Sequence, residues 1–271
     1  MQKTFDVRAA LSRPQAGGVH MNRRRFMSVG LAALHVPWLA GCLPRGTGLV
    51  SDGDPRLTSR PASPIEPAPL GATQVGLETG RDAILYVPQS YRSDSPMPLI
   101  ITLHGAGGNA ASWEAYYEIC EGRGVIMLAV DSRDSTWDRV RGVFGADVWF
   151  IDQALAWTFE RCFIDPAKIA LAGFSDGASY ALSLGVSNGD LLTHLIAFSP
   201  GFMASTEPIV GSAKVFVSHG TEDPILSVGA SRDNIVPSLR ADGYDVTYQE
   251  FAGGHNVPRS VSDQAFDWFL G

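Results

Sequence analysis

The chain has 271 residues, 45% of them hydrophobic and 18% charged, which suits one sizeable globular domain, or one domain with appendages. This composition excludes a collagen-like, disordered or multi-span membrane protein, and no repeat of fixed period is visible. The formal net charge of −7 repels phosphate backbones and excludes nucleic acid as an expected partner.

Residues 1–41 read as an export signal. They hold Lys3, Arg8, Arg13, Arg23, Arg24 and Arg25 against the single acid Asp6, so the rest of the chain is more acidic than the whole. The three consecutive arginines precede an apolar run over 29–40, interrupted only by His35 and Pro37. A charged start and a short apolar run of this kind make a signal peptide rather than a membrane span. The run ends Leu39-Ala40-Gly41-Cys42, which resembles a bacterial lipobox, with Cys42 as the residue that is lipidated and becomes the new N-terminus. Asn22-Arg23-Arg24-Arg25-Phe26-Met27 also resembles a twin-arginine export signal. Met21 is an alternative start, since residues 1–20 add nothing that export needs. The competing reading is a buried or amphipathic N-terminal helix. The expectation is an exported protein on the periplasmic side, outer membrane or cell surface, touching membrane only through lipid on Cys42.

Residues 42–72 are rich in Pro, Gly, Ser and Arg, as in Pro61-Ala62-Ser63-Pro64. Such a stretch builds no core of its own and reads as an extended linker. The catalytic domain is then expected over 73–271. Within it, apolar runs at 83–87, 99–103, 125–130, 169–172, 195–198, 215–218 and 246–251 read as strands. Amphipathic patterns at 112–122, 148–162, 175–187, 230–241 and 261–270 read as helices between them. This alternation predicts an α/β fold, a mostly parallel sheet with helices on both faces, whose functional groups gather at the carboxyl ends of the strands.

Four strand ends carry candidate chemistry. Gly173-Phe174-Ser175-Asp176-Gly177 lies between a strand and a helix, where small flanking residues allow a sharp turn that lifts the Ser175 hydroxyl above the sheet. The helix that follows aims backbone N–H groups and its positive end at any anion formed there. The plainer alternative is a tight turn with a capping serine. Leu103-His104-Gly105-Ala106-Gly107-Gly108 is a second strand end whose small residues leave backbone N–H groups approachable, with His104 read as a structural residue of the loop. The third, Val217-Ser218-His219-Gly220-Thr221-Glu222-Asp223-Pro224, offers two carboxylates that could orient a histidine. The fourth, Gly253-Gly254-His255, supplies the only histidine after them, while His194 has no motif around it and reads as surface or packing.

These motifs, together with Tyr86-Val87-Pro88 and Ile164-Asp165-Pro166-Ala167-Lys168-Ile169, resemble the small carboxylesterase and phospholipase branch of the α/β-hydrolases. They also resemble the polyhydroxybutyrate depolymerase and feruloyl esterase group. The resemblance covers nearly all of 73–271, and is specific for fold and triad rather than for substrate. It implies Ser175 as nucleophile, His255 as base and Asp223 as the acid, since Asp223 rather than Glu222 stands at the family position of H-G-x-x-D. It implies an oxyanion hole from the amides of Ala106 and Asp176; many relatives carry Gln where this chain has Asp176. The expected reaction is hydrolysis of a carboxylic ester through an acyl-enzyme, with a small-molecule or polymeric ester as substrate. No cofactor and no metal is expected, since no Cys/His group has ligand spacing.

Little chain is left for a cap domain, so the site is expected to be open and shallow. Phe174 and Trp137 are candidate substrate contacts, although Trp137 could equally pack onto the domain. Cys120 and Cys162 either pair as a disulfide, which an exported protein permits, or remain buried thiols. The rival readings are a serine peptidase or thioesterase on the same triad, and a non-catalytic lipoprotein using the fold as a binding module.

Overall fold

The computed structural model describes residues 53–204 and 208–271. The export signal read in 1–41 and the lipidation expected at Cys42 lie outside the described residues. No helix among the described residues is long and apolar enough to cross a membrane.

Among the described residues the apolar runs form one eight-stranded sheet in the order β1-β2-β4-β3-β5-β6-β7-β8. The strands are β1 (Gly71–Gln74), β2 (Ala83–Val87), β3 (Met97–Leu103), β4 (Ile126–Val130), β5 (Ile164–Phe174), β6 (His194–Phe198), β7 (Lys214–Gly220) and β8 (Val246–Phe251). β1 and β2 are antiparallel to their neighbours, and every pairing from β4 through β8 is parallel. Parallel strands share a carboxyl rim, so residues just after β3, β5, β7 and β8 emerge on the same edge.

Side chains alternate across a strand, and this divides the core into two clusters. Leu99, Ile101 and Leu103 of β3 face one side, where α3 (Ala146–Arg161), α4 (Asp176–Gly185) and α5 (Val236–Ala241) pack. Ile100 of β3, with Met127 and Ala129 of β4, faces the other side, covered by α1 (Tyr117–Arg123) and α6 (Arg259–Leu270). The helix read over 112–122 is a 3₁₀ helix, Ala110–Tyr116, running into α1. The helix read over 230–241 begins as a π-helix, Ala230–Ile235, before α5. A short α2 (Asp138–Arg141) lies in the β4–α3 connection, where no helix was legible. Among the described residues the β6–β7 connection carries no helix, so no cap is inserted there.

One expectation changes. From Pro55 onward the segment that composition presents as a spacer is docked on the body. Leu57 is buried in the core cluster of α3 and α4. Asp152 of α3 accepts hydrogen bonds from the Thr58 amide (2.8 Å), the Thr58 hydroxyl (2.6 Å) and the Ser59 amide (2.8 Å). Asn188 accepts from the Leu57 amide (2.8 Å) and donates to the Pro55 carbonyl (2.7 Å), while Arg56 and Arg60 both reach Asp190. A segment too polar to form its own core is thus satisfied by donors and acceptors of the body, and the folded unit starts before Thr73. Of the two readings for the cysteines, the structure has the buried thiols. Cys120 and Cys162 are free and belong to the clusters on opposite faces of the sheet, and burial raises both thiols well above the usual thiol range.

Candidate active site

Ser175 sits at the turn from β5 into α4 with φ 57°, ψ −121°, a conformation that non-glycine residues rarely adopt. The turn is held by close backbone approaches that only glycine allows. A Cβ on Gly177 would lie 2.2 Å from the Leu103 carbonyl oxygen, and one on Gly173 would lie 2.2 Å from the Gly177 oxygen. The two glycines flanking Ser175 therefore let the start of α4 lie against the end of β3, which brings the 104–108 loop beside the serine.

The Ser175 hydroxyl donates to His255 Nε2 (2.8 Å), and His255 Nδ1–H donates to Asp223 Oδ2 (2.6 Å). The other carboxylate oxygen of Asp223 accepts the amides of Ile225 (2.8 Å) and Leu226 (2.9 Å). Burial works to raise the Asp223 carboxyl, but the bonds from His255 and these two amides outweigh it and hold the group below the usual carboxylate range. Glu222, the other carboxylate of the motif, is exposed and its amide donates to the Gly253 carbonyl. Gly220 permits that approach, because a Cβ there would lie 2.4 Å from the oxygens of both Gly253 and Gly254. The acid loop and the histidine loop are thus fitted to each other through their backbones.

Beside Ser175, the amides of Ala106 and Asp176 make no hydrogen bond among the described residues, whereas Gly107 and Gly108 donate to Ser135 and Gly105. Two free N–H groups next to a hydroxyl are what a developing oxyanion requires. The Asp176 carboxylate is turned aside, accepting from the Thr136 hydroxyl (2.7 Å). His104 is buried and holds the loop: Nδ1–H donates to the Gly105 carbonyl (2.7 Å), and Nε2 accepts from the Ser132 amide (3.0 Å) and lies 3.0 Å from Arg81. Burial lowers its pKa and keeps it neutral. His194 is a packing residue against Trp268 and Phe269, pushed down to about 4 by burial.

A cleft of about 310 Å³ opens at this site, with Trp113, Tyr116, Phe174 and Val257 as its apolar wall and His255 and Asn256 at its edge. Phe174 also packs its ring 4.7 Å from that of His255. Trp137 does not line the cleft. It is fully buried between His104 and Tyr180, with Nε1–H donating to the His104 carbonyl (2.9 Å), so it supports the 104–108 loop from beneath. Trp113 and Tyr116 were legible only as members of a helix; nothing in their spacing shows that they face a cleft. Among the described residues no three His, Cys, Asp or Glu side chains converge as a metal set. The arrangement can transfer a proton from Ser175 to His255 while Asp223 stays anionic.

Residues 148–263 match the family model described as Phospholipase/Carboxylesterase. The chain is 26% identical over 155 residues to the Aspergillus oryzae protein named "Probable feruloyl esterase C", covering 54% of this chain and 56% of that one. It is 25% identical over 164 residues to feruloyl esterase B of Piromyces equi, covering 58% of this chain and 30% of the relative. The chain thus spans about half the length, or less, of these relatives. Among solved structures, esterase PE8 superposes with a TM-score of 0.57 at 22% identity, over 69% of this chain and 96% of that one. A ferulic acid esterase from Anaeromyces mucronatus in complex with ferulic acid gives a TM-score of 0.56 at 18% identity, over 74% and 89%. Sheet order, strand-to-helix serine turn and these likenesses together give the chain the α/β-hydrolase fold.

Proposed function

We propose that the protein is a serine esterase. The observation that carries this reading is the line Asp223–His255–Ser175, hydrogen-bonded end to end at 2.6 and 2.8 Å beside two free amides. His255 takes the Ser175 proton as the hydroxyl attacks the ester carbonyl, and the Ala106 and Asp176 amides hold the oxyanion. His255 then protonates the leaving alcohol, and water releases the acyl group by the same steps in reverse. Asp223 keeps His255 in the tautomer that accepts at Nε2.

The aromatic wall of the cleft, Trp113, Tyr116 and Phe174, supports an ester with a flat or aromatic half, in keeping with the feruloyl esterase names of the relatives. Turnover of p-nitrophenyl acetate, butyrate and palmitate and of methyl ferulate by the purified protein, beside Ser175→Ala, tests the reading. Hydrolysis that vanishes in the variant is the expected result, with methyl ferulate and the short esters preferred over palmitate. Turnover that survives in Ser175→Ala would sink it. Export and lipid anchoring through Cys42 belong to the same proposal, supported by the order of charged start, apolar run and lipobox-like Leu39-Ala40-Gly41-Cys42. Mass spectrometry of the protein from native membranes should find the lipid on Cys42; an intact peptide spanning residues 36–50 would contradict it.

A further inference from the structure

The Asp223 carboxylate has a second histidine against it. His219, at the end of β7, is fully buried, and its Nε2 lies 3.3 Å from Asp223 Oδ2, the same oxygen that takes the His255 bond. Its tautomer is fixed by its partners. The Leu226 carbonyl, 2.9 Å from Nε2, can only accept, so Nε2 carries the hydrogen. Nδ1 is then the acceptor for the Ser231 hydroxyl at 2.7 Å. Ser231, also fully buried, stands in the π-helix Ala230–Ile235.

We propose that His219 is a positioning residue for the triad acid, resting on the esterase reading above. It acts in two ways. The Leu226 residue whose carbonyl it holds is also the residue whose amide donates to Asp223 Oδ1, so the ring ties down the 223–226 turn that carries the carboxylate. The polarised Nε2–H also puts its positive end beside Oδ2, where the negative charge must stay while His255 becomes imidazolium. Neither effect touches substrate, so binding is unchanged while the chemical step slows. Misplacement of a catalytic group by about 1 Å costs on the order of 10²-fold, which bounds the expected loss.

The test compares His219→Leu, His219→Gln and Ser231→Ala with wild type on p-nitrophenyl butyrate, with fluorophosphonate labelling of each. His219→Leu fills the space without a donor and should lower kcat by ~10–100-fold with KM changed by less than about twofold. The Gln amide sets an N–H near the Nε2 position, so His219→Gln should recover kcat to within about threefold of wild type. Ser231→Ala releases the Nδ1 side and should lower kcat by ~3–10-fold at unchanged KM, and it carries the test alone if His219→Leu does not fold. Wild-type kcat in His219→Leu, unchanged kcat in Ser231→Ala, or equal losses in Leu and Gln variants would each overturn the role while leaving the triad standing. A wild-type protein that neither turns over nor labels would overturn the esterase reading and this one with it.

Discussion

Replacing Leu57 by Ala should destabilise the protein as though a core residue had been lost, although composition puts Leu57 in a spacer. The side chain is 1% exposed and sits in the cluster formed with α3 and α4. Buried Leu→Ala changes cost ~2–5 kcal/mol, the spread reflecting how far the site collapses. The Pro55–Ser59 segment is held by its own bonds to Asp152 and Asn188, so it can settle partly into the gap, and a value of about 3 kcal/mol is expected. For a unit of this size that is a fall of ~6–12 °C in Tm. Asp152→Ala should have a comparable effect, because the cost of leaving the Thr58 and Ser59 amides without an acceptor cannot exceed the cost of undocking the whole segment. Thermal unfolding followed by circular dichroism, with urea titration for the free energy, measures both. A Leu57→Ala change below about 1 kcal/mol would refute the claim that this segment belongs to the folded unit.

Other outcomes follow from the same geometry. Burial, with the Asp138 charge beside it, raises Asp147 to about 6. A carboxyl raised in the folded state keeps its proton there where the unfolded chain is already ionised, so stability should fall as pH rises from about 4 to about 6, by about 3 kcal/mol in full, and level off above. Asp147→Asn should flatten this dependence between about pH 4 and 6.5 in thermal melts, and an equally steep slope in the variant would contradict the assignment. Gly177→Ala forces a methyl to 2.2 Å from the Leu103 oxygen, so the Ser175 turn must move and kcat/KM should drop by ~10²-fold or more, or the protein should fail to fold. Wild-type activity in that variant would show that the turn is looser than described. Tyr116→Ala removes part of the cleft wall and should raise KM for methyl ferulate more than for p-nitrophenyl acetate, and equal effects on the two esters would argue against an aromatic subsite there.

Most strands were readable as apolar runs, as at 83–87 in β2, while 246–251, which coincides with β8, carries its Val, Tyr and Phe among polar residues. β1 escaped because Gly-Ala-Thr-Gln is a short edge strand facing solvent along one side, with no hydrophobic run to mark it. β5 is longer than the legible 169–172, since Asp165-Pro166-Ala167-Lys168 interrupts its pattern where the pairing with β3 is irregular. Ser175, Asp223 and His255 could be picked out because each follows a strand and has, within three residues, a glycine packed closely against other groups. Trp137 could not be assigned, because an aromatic side chain after a strand end has the same signature whether it meets substrate or supports the loop from below. The docking of Pro55–Ser59 was invisible for a different reason. Its partners Asp152 and Asn188 are about ninety and one hundred and thirty positions away, and composition reports only what a segment can do alone.

The central claim is that Ser175 is a nucleophile activated by His255, and peptide mass spectrometry after treatment with a fluorophosphonate tests it most directly. The account predicts one adduct, on the peptide holding Ser175, formed in wild type and absent in both Ser175→Ala and His255→Ala at matched times. An adduct on another residue, or undiminished labelling of Ser175 without His255, would contradict it.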